Sequence, residues 1–118
     1  MKLPVLLVPA LLVMVAGCAA KDKEATGSKI DLYDDYFGQT SKTIAKGTEL
    51  EFENEGHKDH TVTIHLPPAA ATEFVLDKTL KPGDEAEYTF SQAGTYHVFC
   101  KFHGSIGGGM HADITVTA

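Results

Sequence analysis

Arginine is missing from all 118 residues, and ten lysines face 16 carboxylates for a formal charge of −6. Such a chain lacks the basic footprint that phosphate backbones demand, which excludes nucleic acid as a partner. An acidic surface suits a basic or mixed-charge protein partner instead. Long apolar runs are equally scarce. The one from Leu3 to Ala16 has 14 residues and is interrupted by Pro4 and Pro9. It falls short of the roughly 18 that argue for a spanning helix. With Lys2 before it and small residues after it, residues 1–17 have the layout of an export signal.

Cysteine occurs only twice, at Cys18 and Cys100. The segment Val15-Ala16-Gly17-Cys18 resembles a bacterial lipobox, whose cysteine is acylated and becomes the first mature residue. On that reading Cys18 carries lipid, and residues 18–28 form a lipidated N-terminus and a polar tether. Ten extended residues reach about 35 Å. The protein is then expected to be exported and held by its anchor on the extracytoplasmic side of a membrane, in the periplasm or at the cell surface. Cys100 is left without a partner, so no structural disulfide is available. An unpaired thiol outside the cytoplasm is open to oxidation. A metal bound through its thiolate accounts for it.

Residues 29–118 are enough for one domain and not two. Their patterning has period two. In Thr48-Glu49-Leu50-Glu51-Phe52-Glu53, Leu50 and Phe52 share one face and glutamates fill the other. Val62, Ile64 and Leu66 alternate in the same way, as do Ala86, Tyr88 and Phe90, then Tyr96 and Val98, then Ala112, Ile114 and Val116. Alternation of this kind predicts strands with one wet face. Turn residues separate the runs, at Lys46-Gly47, Asn54-Glu55-Gly56, Lys81-Pro82-Gly83-Asp84 and Ala93-Gly94. Residues 69–73 suit a helical turn. Many short strands at this spacing predict an all-β sandwich.

The chemistry concentrates near the carboxyl end. Residues 96–110 bring Cys100, His103 and Met110 into one loop between two predicted strands. Thiolate, imidazole and thioether together select copper over magnesium, calcium or manganese, and two histidines with a cysteine and a long axial methionine form a blue-copper set. The second histidine must come from elsewhere. Cys100 has the inward parity of Tyr96 and Val98, Met110 that of Ala112 and Ile114, and His60 that of Val62 and Ile64. His65, His97 and His111 fall on outward positions. His57 sits in a Gly-Lys-Asp turn and is expected in solvent. His65 and His97 across neighbouring strands are a weaker candidate for a second metal pair. Asn54 is expected to hydrogen-bond near the His60 segment and orient it.

The run from Asn54 to Ile64, with Cys100-x-x-His103 forty residues after His60, resembles the plastocyanin and pseudoazurin group of cupredoxins. The approach Gly94-Thr95-Tyr96-His97-Val98-Phe99-Cys100 is similar to that family's penultimate strand. The resemblance covers roughly Ile30 to Thr117. It implies a Greek-key β-sandwich, one type 1 copper ion held by His60, Cys100, His103 and Met110, and single-electron exchange with a redox partner protein through the partly exposed His103. One feature departs from plastocyanin-like chains: six residues, four of them glycine, separate His103 from Met110. The axial position is therefore shared between Met110, His111 and an open, water-accessible site. A carrier of this kind needs no substrate pocket and no general base, and so is not an enzyme. The alternatives are a copper-delivery protein and a red-copper-like centre with an open coordination position.

Overall fold

A computed structural model describes residues 28–118. Nine strands follow one another: β1 (Lys29–Tyr33), β2 (Tyr36–Phe37), β3 (Ser41–Ala45), β4 (Thr48–Asn54), β5 (His60–His65), β6 (Leu76–Leu80), β7 (Glu85–Phe90), β8 (Gly94–Ser105) and β9 (Gly108–Thr117). There is no helix among the described residues. In place of a helical turn at 69–73 there is one tight turn, with the Glu73 amide donating to Ala70 O at 2.9 Å.

The strands form two mixed sheets that face each other as a Greek-key sandwich. One runs β2-β1-β4-β7 and the other β3-β9-β8-β5-β6. The parallel pairs are β1 with β4 and β3 with β9; the rest are antiparallel. The alternation read from the sequence fills the space between the sheets. Leu50, Phe52, Val62, Ile64, Ala86, Phe90, Tyr96, Val98, Ala112, Ile114 and Val116 are all buried in one core, with Tyr88 and Leu66 packed at its margin. Phe90 and Tyr96 meet edge to face at 4.9 Å, an arrangement aromatic quadrupoles favour. The Tyr96 hydroxyl donates to Gln92 O at 2.6 Å, so its polar end is satisfied.

Strand β5 departs from the one-wet-face expectation, because all six of its residues are buried. It lies between β8 and β6, and the chain after it returns along the carboxyl end of β5, with Ala69 O 2.9 Å from His65 Nε2. Val75 donates its amide to Ile64 O at 2.8 Å, and Phe74 packs edge to face on Phe99 at 5.8 Å. Thr61 and Thr63 are therefore buried hydroxyls that need partners. The Thr63 hydroxyl donates to Asp77 Oδ1 at 3.0 Å, which leaves the Thr61 hydroxyl to donate to Thr63 Oγ1 at 2.9 Å. The same Thr61 oxygen accepts the Lys101 amide at 2.8 Å, while Lys101 Nζ reaches Asp77 Oδ2 at 2.7 Å. This chain of bonds ties the end of β8 to β5. It lies directly behind the metal site.

Candidate metal centre

Strand β8 does not run straight through the site. Its pairing with β9 is regular from Gly94 opposite Val116 to Phe99 opposite His111, and it resumes at Gly104 opposite Gly109. Between those points Cys100, Lys101, Phe102 and His103 stand against Met110 alone. A bulge re-aims side chains that a regular pleat would send to alternate faces. The segment expected as an open loop is thus a hairpin that stays paired to Ser105 opposite Gly108, with the donors in its bulge. Glycine makes that possible. A Cβ on Gly104 would lie 2.5 Å from Met110 N, and one on Gly109 would lie 2.6 Å from His103 O. Gly109 also takes φ +64°, which side chains rarely adopt.

The fold carries His60, at the start of β5, to the same place. Cys100 Sγ lies 3.7 Å from His60 Nδ1 and 3.6 Å from His103 Nδ1. The three donor atoms all fall within 4.8 Å of one another. An ion with nitrogen ligands at about 2.0 Å, a sulfur ligand at about 2.3 Å and a trigonal angle of about 120° separates sulfur from nitrogen by about 3.7 Å. The observed spacings suit such an ion. Cys100 and His60 are fully buried, and the His103 side chain is 26% exposed. Buried soft sulfur with two imidazole nitrogens selects copper. These residues fit one type 1 copper ion.

Neighbouring groups hold Cys100 and His60. The Thr61 amide donates to Cys100 Sγ at 3.3 Å and orients the sulfur. Asn54, 1% exposed, orders the turn that precedes His60. Its Nδ2 donates to Lys58 O at 2.8 Å and Leu80 O at 2.9 Å, and its Oδ1 accepts the Gly56 amide at 2.8 Å. The role expected for Asn54 is therefore the one it has. Asp34, in the turn between β1 and β2, was not singled out by sequence. Its Oδ1 lies 3.2 Å from His60 Nε2 and accepts the backbone amides of His57 at 2.9 Å and Lys58 at 3.1 Å. The only sequence signal was Asp34-Asp35 between two tyrosines, which reads as an ordinary polar turn, 26 residues from its histidine.

Burial pushes the Asp34 carboxyl up, but the hydrogen bonds from His60 and from the Lys58 and His57 amides outweigh it and lower the pKa from 3.8 to about 2. The sign for stability follows. The unfolded chain binds this proton more readily, so the contribution is complete above pH 3.8 and is lost as the pH falls toward about 2. The urea midpoint of the metal-free domain should therefore drop more steeply over that range than that of Asp34→Asn.

The remaining candidates are Met110 and the other four histidines. Met110 is buried in the core beside the bulge, 1% exposed, while His111 on the opposite parity is half-exposed and its Nδ1 lies 3.1 Å from Gly109 O. The His57 side chain is 97% exposed, as its turn position suggested. His65 and His97 do face each other across β5 and β8, with stacked rings 6.1 Å apart. His65 is buried rather than on the wet surface, since the chain after β5 covers it; its Nε2 contacts Ala69 O at 2.9 Å. His97 Nδ1 is taken by Asp113 at 2.9 Å. Among the described residues no third donor joins this pair within metal-binding range. The lipidation candidate, Cys18, lies outside the described residues.

A family model for the cupredoxin-like domain matches residues 5–116. None of the curated protein sequences matches the chain. Among solved structures it is similar to a purple cupredoxin from Nitrosopumilus maritimus, at 19% identity and a TM-score of 0.61, covering 75% of this chain and 98% of that one. An oxidised amicyanin mutant aligns with a TM-score of 0.60 and 19% identity, and a reduced amicyanin mutant with 0.60 and 20%. Each covers 75% of this chain and 80% of the amicyanin.

Proposed function

The chain belongs to the cupredoxin-like family, and from that premise we propose that it is a one-electron carrier working outside the cytoplasm, with His60, Cys100, His103 and axial Met110 as its copper ligands. The observation that carries the reading is the fully buried Cys100 sulfur, 3.6–3.7 Å from two imidazole nitrogens contributed by separate strands. Copper in such a site supplies a one-electron couple between its cuprous and cupric forms. The similar amicyanins are described in oxidised, reduced and Cu(I) forms.

The protein's part is to keep the donors still. His60 sits on a central strand and is held through Asp34 on one side and the Asn54-ordered turn on the other. Cys100 is fixed by the Thr61 amide, and the peptide after it by the Thr61 hydroxyl. Donors that cannot relax keep nearly the same geometry in both oxidation states, so little reorganisation opposes electron transfer. His103 is the part of the donor set nearest solvent, with Phe102 beside it 56% exposed. That edge suits the docking of a redox partner protein. None of these tasks calls for a general base, and the proposed role is transfer rather than catalysis.

An export signal over residues 1–17, lipidation at Cys18, a tether to residue 28 and a functional domain from 29 to 118 complete the proposal. It is supported by the sequence alone, by the apolar run from Leu3 to Ala16 after Lys2 and by the lipobox-like Val15-Ala16-Gly17-Cys18. Visible and electron-spin-resonance spectra of the copper-loaded protein test the carrier role, followed by repeated reduction and reoxidation with metal analysis. An intense blue or purple cupric form that cycles without losing copper is expected. Metal release on reduction would instead indicate delivery. A pale site that reacts with small molecules would indicate an open coordination position.

Met110→Leu separates the axial residue from the other three. Leucine fills a similar volume, so the fold should change by less than about 1.5 kcal/mol. Copper should still bind. Losing a sulfur donor and gaining apolar surroundings both disfavour the more highly charged cupric form, so the reduction potential should rise. Voltammetry of the two proteins checks the direction.

A further inference from the structure

Asp34 has a geometry that a plain turn residue does not need. It lies in a two-residue connection between β1 and β2 whose other member, Asp35, takes φ +77°, the only left-handed non-glycine among the described residues. Three features bring this turn onto the metal site. Glu55 donates its amide to Leu32 O at 2.7 Å, clamping β1 to the turn before His60. The His57 and Lys58 amides both converge on Asp34 Oδ1, and Oδ2 takes a longer contact of 3.2 Å from the His57 amide. Gly56 leaves the room, since a Cβ there would lie well inside van der Waals distance of Asp34 Oδ1.

That oxygen meets the nitrogen of His60 that faces away from Cys100. A carboxylate there accepts Nε2–H, which fixes the tautomer with Nδ1 bare and turned toward the sulfur. It also places a negative charge, on a side chain only 27% exposed, one imidazole ring from the metal position. Asp35 offers a useful contrast. Its carboxylate lies 4.0 Å from His103 Nε2, beyond hydrogen-bond reach, and is 64% exposed.

We propose that Asp34 is a positioning residue that fixes the tautomer of His60 and favours cupric over cuprous ion, lowering the reduction potential of the centre. The proposal rests on the copper reading above. A negative charge held close to the site stabilises Cu(II) more than Cu(I), and partners of metal-bound histidines typically shift metal affinity by about 10- to 100-fold. Removing the charge while keeping an acceptor, in Asp34→Asn, should therefore weaken Cu(II) binding relative to Cu(I) by about tenfold. That ratio corresponds to an upward shift of about 59 mV for a one-electron couple.

The test compares the wild-type protein with Asp34→Asn, Asp34→Ala, Gly56→Ala and Asp35→Asn. Reduction potentials are measured by voltammetry, and imidazole nitrogen shifts of the metal-free proteins by NMR. Wild type and Asp34→Asn should show His60 protonated at Nε2, and Asp34→Ala should show a mixture of tautomers. Potentials should rise in all three variants that disturb Asp34 and move much less in Asp35→Asn. Gly56→Ala, which displaces the carboxylate while retaining its charge, answers the question should the Asp34 variants fail to fold. A rise in Asp34→Asn no larger than in Asp35→Asn, or an unchanged His60 tautomer in Asp34→Ala, overturns the proposal. A wild-type protein without a thiolate–copper band overturns the copper reading instead, and the metal-free NMR distinguishes the two failures.

Discussion

Cys100→Ala should abolish the intense visible absorption of the cupric protein while leaving the sandwich folded. The band requires electron density from a thiolate, and no other described residue offers one, because Cys100 is the sole free cysteine among them. Losing a group next to a ligand already weakens binding by about 10- to 100-fold. Losing the ligand itself should cost more than about 100-fold. The fold should survive, since a single buried sulfur contributes only about 1 kcal/mol and the core around it is closed by large side chains such as Met110 and Tyr96. Titrating copper into both proteins, with the visible spectrum and the melting temperature recorded together, checks both parts. A ligand that binds only the native state raises its stability with the logarithm of its affinity. Copper should therefore raise the melting temperature of the wild type far more than that of the variant. A band that persists in Cys100→Ala removes Cys100 from the ligand set.

Asn54→Ala should be the most damaging single change outside the ligands themselves. The side chain is 1% exposed and makes three hydrogen bonds, to Lys58 O, Leu80 O and the Gly56 amide. Alanine leaves these groups without partners, and a buried polar group left unpaired costs about 1–3 kcal/mol. Some of that cost is relieved by water at the Lys58 side, so a loss of about 2–4 kcal/mol is expected from urea unfolding of the metal-free domain. The functional consequence runs through the turn. Without Asn54 the stretch from Gly56 to Asp59 loses its internal support, and His60 and Asp34 lose the frame that brings them together. Copper affinity should fall even though no ligand has changed. Asn54→Asp is a sharper comparison, because it retains the acceptor for Gly56 but turns a second acceptor toward two carbonyl oxygens. Unfolding midpoints within error of wild type for both variants would show that the turn is held by something else.

The two variants probe different levels of the same molecule. Cys100 acts by the chemistry of one atom. Asn54 acts by geometry, through backbone groups that contribute no donor to the metal. Asp34 stands between them, touching a proposed ligand without being one.

Much of this was legible in the chain. Alternation with period two identified Leu50, Phe52, Val62, Ile64, Phe90, Tyr96 and Val98 as core residues, because a strand sends successive side chains to opposite faces regardless of where it pairs. The same parity selected His60 over His65 and Met110 over His111 as the inward members, and the proximity of Cys100 and His103 followed from their closeness in sequence. Soft donors in that combination pointed to copper by their chemistry alone. Three things were decided only by the tertiary structure. The bulge at residues 100–103 depends on Gly104 and Gly109 meeting across strands, a contact that exists only once β8 and β9 have paired. The burial of both faces of β5 depends on partners from other segments, Lys101 at Thr61, Asp77 at Thr63 and Ala69 at His65, so these three looked like wet positions and are not. The meeting of Asp34 with His60 spans 26 residues and two sheets. Periodicity records which face a residue takes on its own strand. It holds no information about which distant segment arrives against that face, because that is set by packing of the whole core.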